Sequence, residues 1–240
     1  MGFTVGDVID TMNCGQCAVI NILPNGRYEV VFEDGYRKIT TDRSLSDRKI
    51  KNPYTPTVFG KGFIGEGFRC WVNGEVSKEY RYWIGMMTRC YQEDHQLKNP
   101  SYEDAVVCQE WHSFQNFAEW CQTQVGFGNK GWQLDKDLLK RGNKDYSPEF
   151  CCFIPKSINA SLINYSRKTL GCTFNEPTKR WQTSYFDILR QIRSSATFKE
   201  EEQARKFYYE NRFNYTKYLI ELYKSELEIR VVSRLEEICG

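Results

Sequence analysis

Hydrophobic positions along the chain change period several times. Near the start they alternate. Cys17-Ala-Val-Ile-Asn-Ile-Leu23 and Arg27-Tyr-Glu-Val-Val-Phe32 carry the strand pattern. Asn25-Gly26 separates them and Asp34-Gly35 follows, dipeptides that accept the positive φ of a tight hairpin turn. Tyr36 to Thr41 returns as a third strand. Three short strands on tight turns predict a small β-barrel over residues 1–51. Residues 52–77 lose the alternation: Asn52-Pro53-Tyr54-Thr55-Pro56 precedes Gly60, Gly62, Gly65 and Gly67. Such a stretch is a linker or an ordered loop. The interleaved Tyr54, Phe59, Phe63 and Phe68 predict that it packs against something.

The period then lengthens to three and four. Ser77 is placed to cap a helix carrying Tyr80, Trp83, Met87 and Cys90 on one face. Ser113 to Gln124 forms a second helix, with Phe114, Phe117, Ala118 and Cys121 inward and Gly126, Gly128 and Gly131 ending it. From Lys199 onward, Tyr215, Leu219, Leu222, Leu227, Val231, Leu235 and Ile238 give strongly helical sequence one apolar side. The pattern as a whole predicts an α+β chain that closes on a long helix.

Composition narrows the class. Aromatic residues make up 15% of the 240, ring surface that suits packed cores and not disorder. Lys and Arg number 33 against 31 acids, so a nucleic-acid partner has to be argued from local patches. The first 52 residues are balanced, seven basic against seven acidic, whereas residues 167–193 hold six basic and two acidic. No run of eighteen apolar residues is present, which predicts no membrane span. Met1-Gly2-Phe3-Thr4 lacks the basic start and apolar stretch of a secretory signal, so the ten cysteines are expected as reduced thiols of a cytoplasmic protein. Cys14-Gly15-Gln16-Cys17 is a lone CxxC without the second pair that zinc needs, and buried or surface thiols are expected there.

The segment from Leu134 to Asn159 carries the most specific signal: Leu134-Asp-Lys-Asp-Leu-Leu-Lys-Arg, Gly142-Asn143, Tyr146-Ser147-Pro148-Glu149 and Asn159. It resembles the ββα core of HNH endonucleases, which pairs two strands with a helix around one divalent metal. The upstream blocks Tyr82-Trp83-x-Gly85-Met86-Met87-x-Arg89-Cys90-Tyr91 and Glu110-Trp111-x-Ser113-Phe114-x-Asn116-Phe117 look like the approach segment of phage HNH proteins, of homing-endonuclease type. The resemblance covers residues 78–165. It implies Asp135 and Asn159 as ligands of Mg²⁺ or Mn²⁺, hard cations suited to oxygen donors. It also implies that Asn143 braces the loop bearing the general base.

The expected general-base His is replaced by Lys136. A free lysine has a pKa of about 10.4, so a base at neutral pH needs a shift of about three units, or about 4 kcal/mol. Asp135 and Asp137 beside it favour the charged form. Lys136 is therefore a better phosphate clamp than a base. His112 and Tyr146 are the other conceivable bases. Asp135 and Asp137 also fit a solvated turn paired with Lys140 and Arg141.

Within a last domain expected over residues 166–240, residues 169–209 carry a second resemblance. Gly171-Cys172-Thr173-Phe174, Thr178 to Phe186, and Ile188 to Ser195 look like the three strands of a plant-type ethylene-response DNA-binding module. Ala196 to Ala204 would open its helix, with Thr197 and Glu200 in capping-box spacing. The resemblance implies that Lys179, Arg180, Trp181, Arg190 and Arg193 face double-stranded DNA. The N-terminal barrel, in turn, looks Tudor-like. Three readings stand: a metal-dependent, phage-encoded endonuclease acting in the bacterial host cytoplasm; a catalytically degenerate relative that binds DNA without cutting; and an interaction protein whose partner is a host protein.

Overall fold

The computed structural model describes residues 2–162 and 171–239. The chain is α+β and divides into two compact units, Met1–Glu119 and Trp120–Gly240. The expected boundary at 165/166 lies outside the described residues, as do Arg167 and Lys168 of the basic stretch.

The first unit opens on an antiparallel sheet in the order β1 (Val8–Asp10), β2 (Gln16–Ile22), β3 (Arg27–Phe32) and β4 (Arg37–Thr41). The three alternating segments form strands close to where the pattern puts them. The sheet is not a barrel, which corrects the closed form expected from the sequence. The strand the alternation missed, β1, has only three residues and pairs with β2 alone, and β4 pairs with β3 alone. Closure needs every edge paired at a consistent stagger, and here both edges stay open. Alternation still builds a one-sided core: Cys17, Val19, Tyr28, Val30 and Phe32 gather with Leu45 of α1 (Asp42–Ser46). Cys14 and Cys17 are buried free thiols in this cluster.

The Gly- and Pro-rich stretch is an ordered loop. Gln115 holds it: its Oε1 accepts from Phe68 N at 2.6 Å and its Nε2 donates to Ile64 O at 2.7 Å. A short hairpin, β5 (Trp71–Val72) and β6 (Glu75–Val76), leads to α2 (Lys78–Tyr91). Ser77 caps α2 by accepting from Tyr80 N, as its sequence position predicts. Trp83, Met86, Met87 and Cys90 are the buried face of α2, and Trp83 Nε1 donates to Trp111 O at 2.8 Å. Then come α3 (Glu93–Lys98), β7 (Val106–Val107), a 3-10 turn over Gln109–His112, and α4 (Phe114–Thr123), within which the division between units falls.

The second unit contains β8 (Trp132–Asp135), β9 (Asp145–Tyr146), β10 (Cys152–Pro155) and α5 (Lys156–Leu162). Strands β8 and β10 are antiparallel, with Asp135 opposite Cys152 and Trp132 opposite Pro155. All four residues of β10 are buried, and Phe153 receives the rings of Trp120 and Phe127. Next is an antiparallel sheet of β11 (Thr173–Asn175), β12 (Arg180–Asp187) and β13 (Ile192–Phe198), backed by α6 (Glu201–Tyr223). The expected capping box does not form. Glu200 is the N-cap without a side-chain bond, because Thr197 stays in β13 and accepts from Arg180. The expected long terminal helix is broken. Glu226 and Leu227 donate back to Tyr223 O, the chain turns, and α7 (Ile229–Cys239) follows with Val231, Leu235 and Cys239 buried. Among the described residues no helix is long and apolar enough to cross a membrane.

Gly126 shows how tight the second unit is. It takes φ +83°, and a Cβ there would lie 2.2 Å from the Trp132 ring. Gly126→Ala combines backbone strain with a clash against a rigid ring. It is expected to lower stability by about 2 kcal/mol or more, read as a lower urea midpoint at unchanged slope.

Candidate functional site

The β8–β10 pair is joined by a long excursion, residues 136–151, that would be floppy without internal ties. Its first turn is set by Asp135. One carboxylate oxygen, Oδ1, accepts from the backbone N–H of Asp137 at 2.9 Å and of Leu138 at 2.7 Å. That Asx-type turn aims the next side chain inward. Lys136 is only 6% exposed. Its Nζ donates to Asn143 O at 2.8 Å and Asp137 Oδ1 at 2.7 Å, and lies 5.8 Å from the centre of the Tyr146 ring. Asn143 returns the contact: its Nδ2 donates to Lys136 O at 2.9 Å and to Asp145 O at 2.6 Å. The two residues form a reciprocal brace across the loop.

A second set of ties comes from α7, and the sequence reading missed it. Arg230 donates to three carbonyls of the same excursion: Pro148 at 3.4 Å, Glu149 at 2.8 Å and Cys151 at 2.9 Å. Arg234 Nε donates to Leu138 O at 3.2 Å. The available signal was an arginine pair at i and i+4 alongside the apolar Val231 and Leu235.

These contacts define what the site can do. Lys136 ties the loop together through its contacts to Asn143 O and Asp137 Oδ1. Burial pushes the Asp135 carboxyl above its usual range and Asp137 adds to this, against the opposing backbone N–H bond from Leu138. Asn159 lies on α5, where its Nδ2 points at Gln133 Oε1 at a long 3.4 Å. Gln133 shares a strand face with Asp135 by alternation, but the Asn159 amide is directed to Gln133. The set therefore offers a divalent cation one carboxylate, with an oxygen already used and an ammonium nearby. Among the described residues no three His, Cys, Asp or Glu converge. These residues do not fit a Mg²⁺ or Mn²⁺ site, because a dication there would meet the Lys136 charge at low dielectric.

His112 belongs to the first unit, whereas Asp135, Lys136, Asn143 and Asn159 belong to the second. Its Nε2 is 3.2 Å from Tyr91 Oη, which in turn accepts from Val107 N at 3.0 Å. Burial lowers its pKa, and the nearby Lys61 adds to the effect.

On the three-stranded sheet, Thr183 is buried and Tyr185 packs on Phe207 of α6 at 5.1 Å. Alternation places Trp181 on that same covered side, where its ring meets Phe174 at 5.3 Å. The open side carries Arg180, Gln182 and Ser184, with Ser195 and Thr197 across the register. The Arg180 guanidinium lies over β13, donating to Thr197 Oγ1 and O, both at 3.2 Å. Lys179 pairs with Glu176 at 2.6 Å in the turn before β12. Arg190 pairs loosely with Asp187 at 3.8 Å in the hairpin after it, and Arg193 is exposed on β13. The positive charges thus flank a polar centre, about 23 Å from one end of β12 to the other at about 3.3 Å per residue.

No protein-family model, no curated protein and no solved structure matches the chain.

Asp135 and Lys136 make separate predictions. A carboxyl whose folded pKa is raised favours folding when protonated, and that contribution is lost as pH rises from about 3.8, its usual value, through the folded pKa. Asp135→Asn keeps an oxygen for the Asp137 and Leu138 amides and removes the buried charge. It is expected to stabilise the protein at pH 7 and to give no gain below pH of about 3.8, measured by urea denaturation at both pH values. Lys136→Ala leaves the Asn143 carbonyl and Asp137 unpaired, and is expected to cost about 2–4 kcal/mol in the same assay.

Proposed function

We propose that the protein binds double-stranded DNA through the open side of the β11–β13 sheet, and that its ββα unit is an HNH-like core retained as a scaffold that does not cut. One observation supports this over a nuclease: at the position where the resembled family keeps its general base, the Lys136 ammonium is sequestered between Asn143 O and Asp137. A group so used takes no proton from water. The poor fit of Asp135 and Asn159 to a divalent cation supports the same reading.

DNA binding draws on different features. The open side offers the hydroxyls and amide of Gln182, Ser184, Ser195 and Thr197, which suit base edges and phosphate oxygens. Arg180 lies among them, and Lys179, Arg190 and Arg193 sit at the ends, where phosphate contacts would set register. The surface pairs of Lys179 and Arg190 are weak enough to exchange for phosphate. In this arrangement Trp181 stabilises the sheet from the covered side and leaves DNA contact to the cations.

A gel shift on mixed-sequence duplex, run over a salt series beside a supercoiled-plasmid nicking assay with Mg²⁺ and Mn²⁺, tests both halves. Retention without nicking is expected. Arg180→Ala with Arg190→Ala should weaken retention by about tenfold or more and make the salt slope shallower by about 1.8, the value for two lost phosphate contacts. Metal-dependent nicking that disappears in Asp135→Ala would overturn the scaffold reading, and absence of retention at low salt would overturn the DNA reading.

A further inference from the structure

A cavity of about 470 Å³ lies where α5, the β12–β13 hairpin and α6 meet, all within the second unit. Neither Lys136 nor Asn143 of the loop brace lines it. Its walls have a consistent chemistry. Tyr185, Phe186, Tyr208 and Tyr215 supply rings, Lys156 and Arg193 supply positive charge, and among the described residues no carboxylate lines it. The rings are fixed by their own packing: Phe186 lies 4.8 Å from Tyr215, and Tyr185 packs at right angles on Phe207. Arg212 makes the back wall rigid. It donates to Ala160 O at 2.6 Å, Ser161 O at 2.9 Å and Tyr208 Oη at 2.9 Å, tying α5 to α6. Lys156 and Arg193, by contrast, are exposed and form no salt bridge among the described residues.

Flat apolar walls select a ring system, and uncompensated cations at the mouth select an anion. A volume of a few hundred Å³ with few, convergent polar groups is the size and make-up of a small-molecule site. Aromatic side chains stack any base, and the preference does not depend on hydrogen-bond readout. We propose that this cavity binds one nucleotide, its base among Tyr185, Phe186, Tyr208 and Tyr215 and its phosphate held by Lys156 and Arg193. The nucleotide is either free or part of a single strand. The inference goes beyond duplex binding by the open side of the sheet, with which it shares Arg193 and Ser184.

The test is calorimetric titration of the full chain with 5′-deoxyadenosine monophosphate, with deoxyadenosine, and with a short oligodeoxyadenylate, beside the duplex gel shift. Two variants address the cavity and spare the cations set on the open sheet: Ala160→Trp, on an exposed helical position, fills it, and Lys156→Ala removes a phosphate ligand. Thermal melts check that both are folded. The monophosphate is expected to bind at least about tenfold tighter than the nucleoside, to lose binding in Ala160→Trp, and to weaken in Lys156→Ala. Duplex retention should be unchanged in both variants. Binding of the oligonucleotide alone, lost in Ala160→Trp, would assign the nucleotide to a strand and support the site. Failure of both ligands to bind, or binding indifferent to Ala160→Trp, would overturn it. Loss of duplex retention by the wild-type chain with nucleotide binding intact would overturn only the sheet reading.

Discussion

The ammonium of Lys136 has to be satisfied inside the second unit, and much of the surrounding geometry follows from that requirement. A buried charge without partners costs several kcal/mol, so the loop between β8 and β10 is shaped to bring the Asn143 carbonyl and the Asp137 carboxylate to it. Asn143 then spends its own amide on Lys136 O and Asp145 O. With both ends of the loop fixed, Tyr146 is buried beneath the ammonium and the chain enters β10 with all four residues covered.

α7 completes this arrangement from outside. The excursion would leave the carbonyls of Pro148, Glu149 and Cys151 short of partners, since a loop of this kind makes few ladder bonds. Arg230 takes all three, and its planar donor fork reaches them from a single position. Val231 and Leu235 on the neighbouring face are fully buried. The C-terminal helix is therefore part of the ββα core.

The sheet module follows a different logic. Its covered side is aromatic, with Trp181 on Phe174 and both Tyr185 and Phe198 on Phe207. Its open side is polar with cations at the margins. In a chain with net charge of only +2, position and not total charge gathers these cations. The cavity behind the hairpin combines the same two ingredients, rings and cations, in a concave form.

The amino-acid sequence by itself determined the α+β class, the strand segments of the first sheet, the capped helix after Ser77, the strand–strand–helix order around Asp135 and Asn159, and the three strands before α6. The first three rest on local signals, namely alternation, Asn-Gly and Asp-Gly turns, three–four spacing and a capping hydroxyl, whereas the last two were expected from the resemblance of those segments to known families. Tertiary structure decided the rest. The first sheet stays open because edge pairing depends on partners, and no strand's own sequence states which partner it lacks. Thr197 lies in β13, paired with Gln182 and accepting from Arg180 seventeen residues away, and α6 starts too late for it to act as the cap. Trp181 turned to the covered side because Thr183 and Tyr185 fix the phase of the strand. Arg230 found its role in carbonyls some eighty residues earlier. Asp135, Lys136 and Asn143 were singled out by their order in the chain. Whether they hold a metal and a base or hold each other depends on where an ammonium can be satisfied when buried, and that is fixed only by packing.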